Sequence, residues 1–305
     1  MNILCATDQS RGSHAAVEQA GILADQLQAD LTLLHVVAPS GPGDSLEDRV
    51  REAHTQMHVR AQRPLWRGER LPSVALRVGN AARLILETLD DLKASLLVLG
   101  AHQPRPIRDA LEGTIAEKAL AARICPVLIA RNPSPSPYRR VLLALDLSRP
   151  SASALRAAES LVLRNDARTQ VVYAADEPYH ESLYYAGAVT ELRLSEPEAW
   201  RRDAERAITD MLKYESADFS RYQVRIEQGD PARGILRAAA AFEPDLLVMG
   251  TRGGGALHRA LLGSISNRTL HEVSCDTLIV PEEPKKTFRS SGNDALRHDT
   301  TNAQV

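Results

Sequence analysis

The sequence predicts an α/β protein made of two like domains, each an open five-stranded parallel sheet with helices on both faces. Three observations carry that expectation. The chain repeats itself at whole-domain length: Leu-Leu-Val-Leu-Gly100 and Gly113-Thr114 return 150 residues later as Leu-Leu-Val-Met-Gly250 and Gly263-Ser264. A repeat of this length marks two copies of a domain, because solenoid units run nearer 20 to 50 residues. Short aliphatic runs alternate with longer periodic segments, the pattern of βαβ units around a parallel sheet. Finally, 305 residues suffice for two domains that each bury a core.

In the first copy, strands are expected near residues 3–6, 31–36, 74–78, 96–99 and 127–130. The first helix is expected to start at Ser13 as N-cap, because Val17, Ala20, Leu23, Ala24 and Leu27 recur at the spacing of one buried face. A second helical pattern runs over residues 81–94, with Leu84, Ile85, Thr88, Leu89 and Leu92 facing inward. In the second copy the strands fall near residues 141–145, 170–174, 223–227, 246–249 and 277–280. Helical patterns cover residues 151–164, 198–215, 232–241 and 264–271. The strands are apolar on both sides, so helices must cover both faces of each sheet.

Other repeated pieces fix the alignment. Asp8-Gln-Ser10 closes the first strand of one copy and Asp146-Leu-Ser148 that of the other; Gly79-Asn-Ala-Ala-Arg matches Gly229-Asp-Pro-Ala-Arg, and Cys125-Pro-Val matches Cys275-Asp-Thr. The first domain is read as residues 1–132 and the second as 139–281. Between them, residues 133–138 follow Asn132 in a Pro-Ser-Pro-Ser-Pro run that reads as a stiff linker. Residues 282–305 turn polar and read as a disordered tail. The copies differ most between their second and third strands, at residues 38–73 and 176–222, each read as a loop-plus-helix region.

Lys and Arg number 37 against 39 Asp and Glu, a net charge of −2, so no global field favours nucleic acid or an acidic membrane. No apolar stretch approaches a membrane span, and a strand beginning at Asn2 leaves no room for a signal peptide, so a cytoplasmic protein is expected. Cys5, Cys125 and Cys275 lie in or beside aliphatic runs without metal-ligand spacing and read as buried thiols. His54 and His58 stand four apart but lack the Glu of HExxH and a third ligand, so a solvated helix face is the better reading. There is no GxxxxGK[ST] loop and no GxSxG elbow, and no catalytic residue is nominated.

With strands in the order 3-2-1-4-5, the carboxyl ends of the first and fourth strands of the second copy are neighbours, and the candidate site is expected there, where small ligands settle in open parallel sheets. Gly250 and Gly253 would let the backbone approach an anion. Gly263 and Ser264 open a helix whose unpaired N–H groups favour phosphate oxygens. Arg252, His258 and Arg259 add charge, Ser264 and Ser266 add hydroxyls, and Asp146 faces a ribose or a metal.

With these residues, the chain resembles a tandem universal stress protein of two UspA-type domains. The family's pattern of Gly, two residues, Gly, nine residues, Gly, then Ser or Thr is met by Gly250, Gly253, Gly263 and Ser264. The resemblance implies an adenine-nucleotide alpha-hydrolase-like fold. It also implies ATP, with or without Mg²⁺, held by the backbone at Ala144 and Ala174, by Asp146 on the ribose side, and by Gly250, Arg252, Gly253, Gly263, Ser264, Ile265 and Ser266 at the phosphates. The first copy departs from the pattern: Gln103 replaces the second glycine, and Pro104 and Pro106 stiffen its loop.

The function expected is a cytosolic adenine-nucleotide-binding regulator that acts through an unidentified protein partner. A slow ATPase or phosphoryl-transfer enzyme is one alternative, and a nucleotide-free scaffold another. The apolar fifth strands, residues 127–130 and 277–280, are expected to pair within the chain as a pseudo-dimer, which can dimerise again.

Overall fold

A computed structural model describes residues 1–39, 45–61, 71–101, 114–163, 166–175, 197–251 and 263–282. The first copy runs β1 Asn2–Ala6, α1 Arg11–Leu27, β2 Asp30–Val37, α2 Leu46–Ala61, β3 Ser73–Val78, α3 Ala81–Asp91, β4 Leu96–Gly100, α4 Ile115–Ala121 and β5 Val127–Ala130. The second runs β6 Arg140–Ala144, α5 Arg149–Leu161, β7 Arg168–Ala175, α6 Pro197–Glu215, a 3₁₀ turn Phe219–Arg221, β8 Tyr222–Gln228, α7 Pro231–Phe242, β9 Leu246–Gly250, α8 Ser264–Glu272 and β10 Asp276–Val280.

The ten strands form one sheet in the order β3-β2-β1-β4-β5-β10-β9-β6-β7-β8. Each half therefore has the expected 3-2-1-4-5 order, and all pairs within a half are parallel. The halves meet through β5 and β10, antiparallel, with Leu128 opposite Leu278. This is the pairing of the fifth strands expected from their apolar edges: each covers the other's unpaired N–H and C=O groups.

Side-chain alternation along the strands builds two cores. Ile3, Cys5, Leu31, Leu33, Val98, Val141, Leu143 and Val248 face α1, α2, α5 and α6. Leu4, Leu34, Leu97, Leu142, Val172 and Leu247 face α3, α4, α7 and α8. Both cores run across the joint between the halves, since each gathers residues from both copies.

One local expectation is overturned. The N-cap of α1 is Ser10, not Ser13, and its hydroxyl accepts from Ser13 N. The apolar spacing locates the buried face of a helix but not its cap, and here an extra turn precedes Val17. The same cap recurs at Ser148, which accepts from Ser151 N. The residue before each cap has a left-handed backbone, Gln9 with φ 66° and Leu147 with φ 64°.

Two side chains, Asp276 and Gln19, bond the linker and its flanks. Asp276, 1% exposed at the start of β10, accepts from Arg131 N (2.7 Å) and Asn132 N (2.9 Å) through Oδ1 and from the buried Tyr138 hydroxyl (2.7 Å) through Oδ2. Gln19 of α1 donates to Ser136 O at 3.3 Å. Proline stiffness is thus joined by hydrogen bonds that anchor the linker to β10. The expected tail lies, from residue 283 on, outside the described residues.

Candidate functional site at the second switch point

The corner begins with the sheet. β6 lies between β7 and β9, with Ala144 beside Val172 on one side and Met249 on the other. The chain leaves β6 toward α5 on one face and leaves β9 toward α8 on the other, so the two strand ends form the switch point of this half of the sheet.

Asp146 sits in that turn. Its Oδ1 accepts from Ser148 N (3.1 Å), Ser148 Oγ (2.5 Å) and Ser151 Oγ (2.5 Å), while its own N–H donates to Ser151 Oγ (2.9 Å). The carboxylate therefore builds the turn and presents it; the bonds all fall on Oδ1. Asp8 repeats the motif, accepting from Ser10 N at 2.9 Å. Burial pushes the Asp8 carboxyl up, but the hydrogen bonds from Ser10 and Ser13 win and hold it below its ordinary value.

Gly250 has a packing reason to be glycine in addition to the one expected. A Cβ there would stand 2.9 Å from the carbonyl carbon of Pro150 and 3.0 Å from its oxygen. Gly100 is under the same constraint, with Gly12 O at 2.7 Å. Both glycines let the start of a helix press against the end of the fourth strand. Because both copies need it, Gly250 does not distinguish the second.

The start of α8 does. Gly263 is its N-cap, with φ −59° and ψ 150°, and no side chain caps the helix. Gly263 N donates to Thr251 O (2.7 Å), and the buried Ser266 donates to Gly250 O (3.0 Å), so the two stems of the intervening loop close on each other. The first intrahelical bond is Asn267 N to Gly263 O, at 2.9 Å. The N–H groups of Ser264, Ile265 and Ser266 precede it, as the opening groups of any α-helix do. Ser264 and Ile265 are exposed.

In the first copy the corresponding helix starts one residue later. Thr114, aligned with Ser264, is itself the cap and accepts from Glu117 N at 3.2 Å. One copy thus closes its helix start with a hydroxyl, and the other ends it on a residue without a side chain.

Of the residues nominated from sequence, the fold gathers Ala144, Asp146, Gly250, Gly263 and Ser266 at one corner, with Ser264 and Ile265 at its open side. Ala174 lies one strand further out, where its Cβ would be 2.7 Å from a Cβ at Gly234 of α7. Arg252, Gly253, His258 and Arg259 fall outside the described residues, as do Gln103, Pro104 and Pro106. Sequence reasoning missed the partners of Asp146, Ser148 and Ser151. Their signal is the spacing Asp-x-Ser-x-x-Ser, shared with Asp8, Ser10 and Ser13.

The groups set aside stay apart from this corner. Burial raises the thiols of Cys5 and Cys125 to about 12 and that of Cys275 to about 11. His54 and His58 lie exposed on α2, their Nε2 atoms 3.0 Å apart. Among the described residues, no group of three or more His, Cys, Asp or Glu side chains is arranged to hold a metal, and no helix is long and apolar enough to cross a membrane.

Known proteins place this geometry. The model of the universal stress protein family matches residues 1–131 and again 137–281. A universal stress protein of Thermus aquaticus is 34% identical over 150 residues, 47% of this chain and 98% of its own length. One of Methanocaldococcus jannaschii is 27% identical over 149 residues, 49% of this chain and 85% of its own. Such relatives span about half of this chain, as expected if it carries two copies. A universal stress protein structure from Archaeoglobus fulgidus superposes with a TM-score of 0.67 at 18% identity, covering 92% of this chain and 98% of its own. A putative one from Pseudomonas aeruginosa does so with 0.59 at 20%, covering 92% of each. At these identities the superpositions speak for the fold, and the two family matches carry the assignment: the chain belongs to the universal stress protein family.

Proposed function

We propose that the second copy binds an adenine nucleotide, ATP being the expected form, and that the protein is a nucleotide-responsive regulator in the cytoplasm rather than an efficient enzyme. The observation that carries this reading is the start of α8. It ends on Gly263, has no side-chain cap, and lies beside Gly250 and the Asp146 turn. Three backbone donors and the positive end of a helix dipole suit phosphate oxygens. The Ser264 hydroxyl lies at the same exposed end. Asp146 would repel phosphate but suits a ribose hydroxyl, and its turn is rigid because Ser148 and Ser151 hold Oδ1. The residues present therefore fit a nucleotide. When bound, it would supply charge and a conformational signal; the chain's own groups bind and orient it. Arg252 and Gly253 complete the phosphate loop in this reading.

A thermal-shift measurement tests it. With ATP and Mg²⁺ at 100 times the dissociation constant, the folded state should gain about 2.7 kcal/mol and the second half should melt several degrees higher. Gly253→Gln, which copies Gln103, is expected to abolish the shift; Gln103→Gly alone should not create one in the first half. Absence of any shift in the wild type sinks the reading. Labelled ATP then separates a binder, which retains it stoichiometrically, from an enzyme, which turns it over steadily.

A further inference from the structure

We propose that α2 carries a binding site for a late first-row divalent cation, Cu²⁺ ahead of Zn²⁺, formed by the Nε2 atoms of His54 and His58. The pair lacks a third protein ligand, and in sequence it reads as a solvated helix face, but in the fold the two rings meet. Their Nε2 atoms lie 3.0 Å apart, with ring centroids 4.3 Å apart and ring planes inclined by 58°. Imidazole nitrogens bind such ions at about 2.0–2.1 Å, so two on one ion stand roughly 2.9 Å apart at a right angle and roughly 3.3 Å apart at the tetrahedral angle. The observed separation is nearer the right angle, which tetragonal Cu²⁺ and Ni²⁺ adopt and tetrahedral Zn²⁺ does not.

The helix holds the pair ready for an ion. Residues four apart share one face of a helix, and His54 and His58 each follow a buried residue, Ala53 and Met57, that fixes α2 against the sheet. No folding step is therefore needed to bring the two nitrogens together. Without an ion, 3.0 Å is the length of a ring-to-ring hydrogen bond, one Nε2–H donating to the other Nε2. Uptake of the ion moves that proton to Nδ1 of the donating ring and leaves both Nε2 lone pairs for the metal. Both rings are exposed, so water can fill the remaining coordination positions. The nearest cation toward the helix start, Arg51, is neutralised by Asp48 at 3.3 Å. In the second copy α6 takes the place of α2 and has no histidine, so the site belongs to the first copy alone.

Calorimetric titration of the full chain with CuCl₂ and with ZnCl₂, in a buffer that does not bind metal, tests the site in the wild type, His54→Gln and His58→Gln. His271→Gln, an exposed histidine on α8, is the control. Wild type and control should take up Cu²⁺ alike and bind it more tightly than Zn²⁺. Each α2 variant should weaken Cu²⁺ at least about tenfold, since losing even a group that hydrogen-bonds a metal-bound histidine costs that much. Electron paramagnetic resonance of the Cu²⁺-loaded wild type should show a tetragonal centre coupled to two imidazole nitrogens, a signature that neither α2 variant should keep. Circular dichroism melts without metal should coincide for all these proteins, because the substituted rings are exposed. The inference is overturned if wild type takes up no Cu²⁺, or if His54→Gln and His58→Gln bind it as wild type does, which would put the ion on other residues. A Zn²⁺ affinity above that of Cu²⁺ would overturn the right-angle geometry.

Discussion

The two copies keep the same sheet and differ at the same corner. In the first, the carboxyl end of β1 is polar and already bonded: Thr7 donates to Ser13 (2.8 Å), Gln9 N donates to Thr7 (3.0 Å), and Arg60 of α2 reaches Gln9 O (2.9 Å) and His14 Nε2 (2.5 Å). In the second, the aligned residues are Leu145, Leu147 and Ala152. The helix that follows the fourth strand is capped by Thr114 in one copy and stops on Gly263 in the other. A corner whose donors are satisfied from within has little left for an anion. The comparison teaches that two copies can keep one fold and still differ in whether the groups at a strand-end corner are bonded from within.

The largest effect expected concerns the place where the copies cannot be alike, the linker. Asp276 aligns with Pro126, and Asp276 bonds the residues at both ends of the linker. Asp276→Ala strands two backbone donors and the buried Tyr138 hydroxyl, so it should cost about 3 kcal/mol or more. Pro126→Ala should cost less than about 1 kcal/mol. Urea unfolding measures both, and equal losses would show that the joint is not held by Asp276.

Next come the glycines that the copies share. Gly100→Ala and Gly250→Ala each force a methyl group to within 3 Å of backbone, at Gly12 and Pro150 respectively. Overpacking of this kind costs about 1–3 kcal/mol. Both variants should lose comparable stability by chemical denaturation. If Gly250→Ala were neutral in stability yet abolished binding, Gly250 would serve the ligand and not the packing.

Most of the fold was legible in the sequence because a repeat tests every assignment twice. The alternation of apolar runs located all ten strands, and pairing of residues 127–130 with 277–280 followed from two apolar edges that needed cover. The cap of α1 was not legible, since Ser10 and Ser13 are both good caps and only the backbone path chooses between them. Asp146, Gly263 and Ser264 were legible as positions at the strand ends, whereas the side-chain partners of Asp146 were not. Gly250 reads as an anion cradle in sequence, whereas its neighbour in space is Pro150, brought there by α5. The shift of one residue between the starts of α4 and α8 is invisible in an alignment that matches Thr114 with Ser264.

A smaller effect separates the helix starts. Gly263→Ser fits the φ of −59° and ψ of 150° without strain and supplies the cap that α8 lacks. It should raise stability by about 0.5–1 kcal/mol. On the nucleotide reading it should also weaken ATP, because the new hydroxyl competes for a backbone donor. Thr114→Ala should cost about 1 kcal/mol in the first copy with no change in ATP affinity. A Gly263→Ser protein that is more stable and binds ATP as before would break the link between the missing cap and the ligand.

The smallest effect is a difference in response to acid. Glu227, on β8 in the second copy, has Arg77 as its counterpart in the first. Burial pushes the Glu227 carboxyl up, but hydrogen bonds from Arg237 (Nε, 2.9 Å) and Arg225 (Nε, 2.7 Å), with the charge of both guanidinium groups, outweigh it and leave the carboxyl below its ordinary 4.5. A carboxylate lowered on folding adds stability that is fully present above pH 4.5 and lost as pH falls through the folded value. Glu227→Gln should therefore unfold at lower urea than wild type at about pH 7, with the two converging at about pH 3. A gap between them that stayed constant with pH would mean that Glu227 contributes packing and not charge.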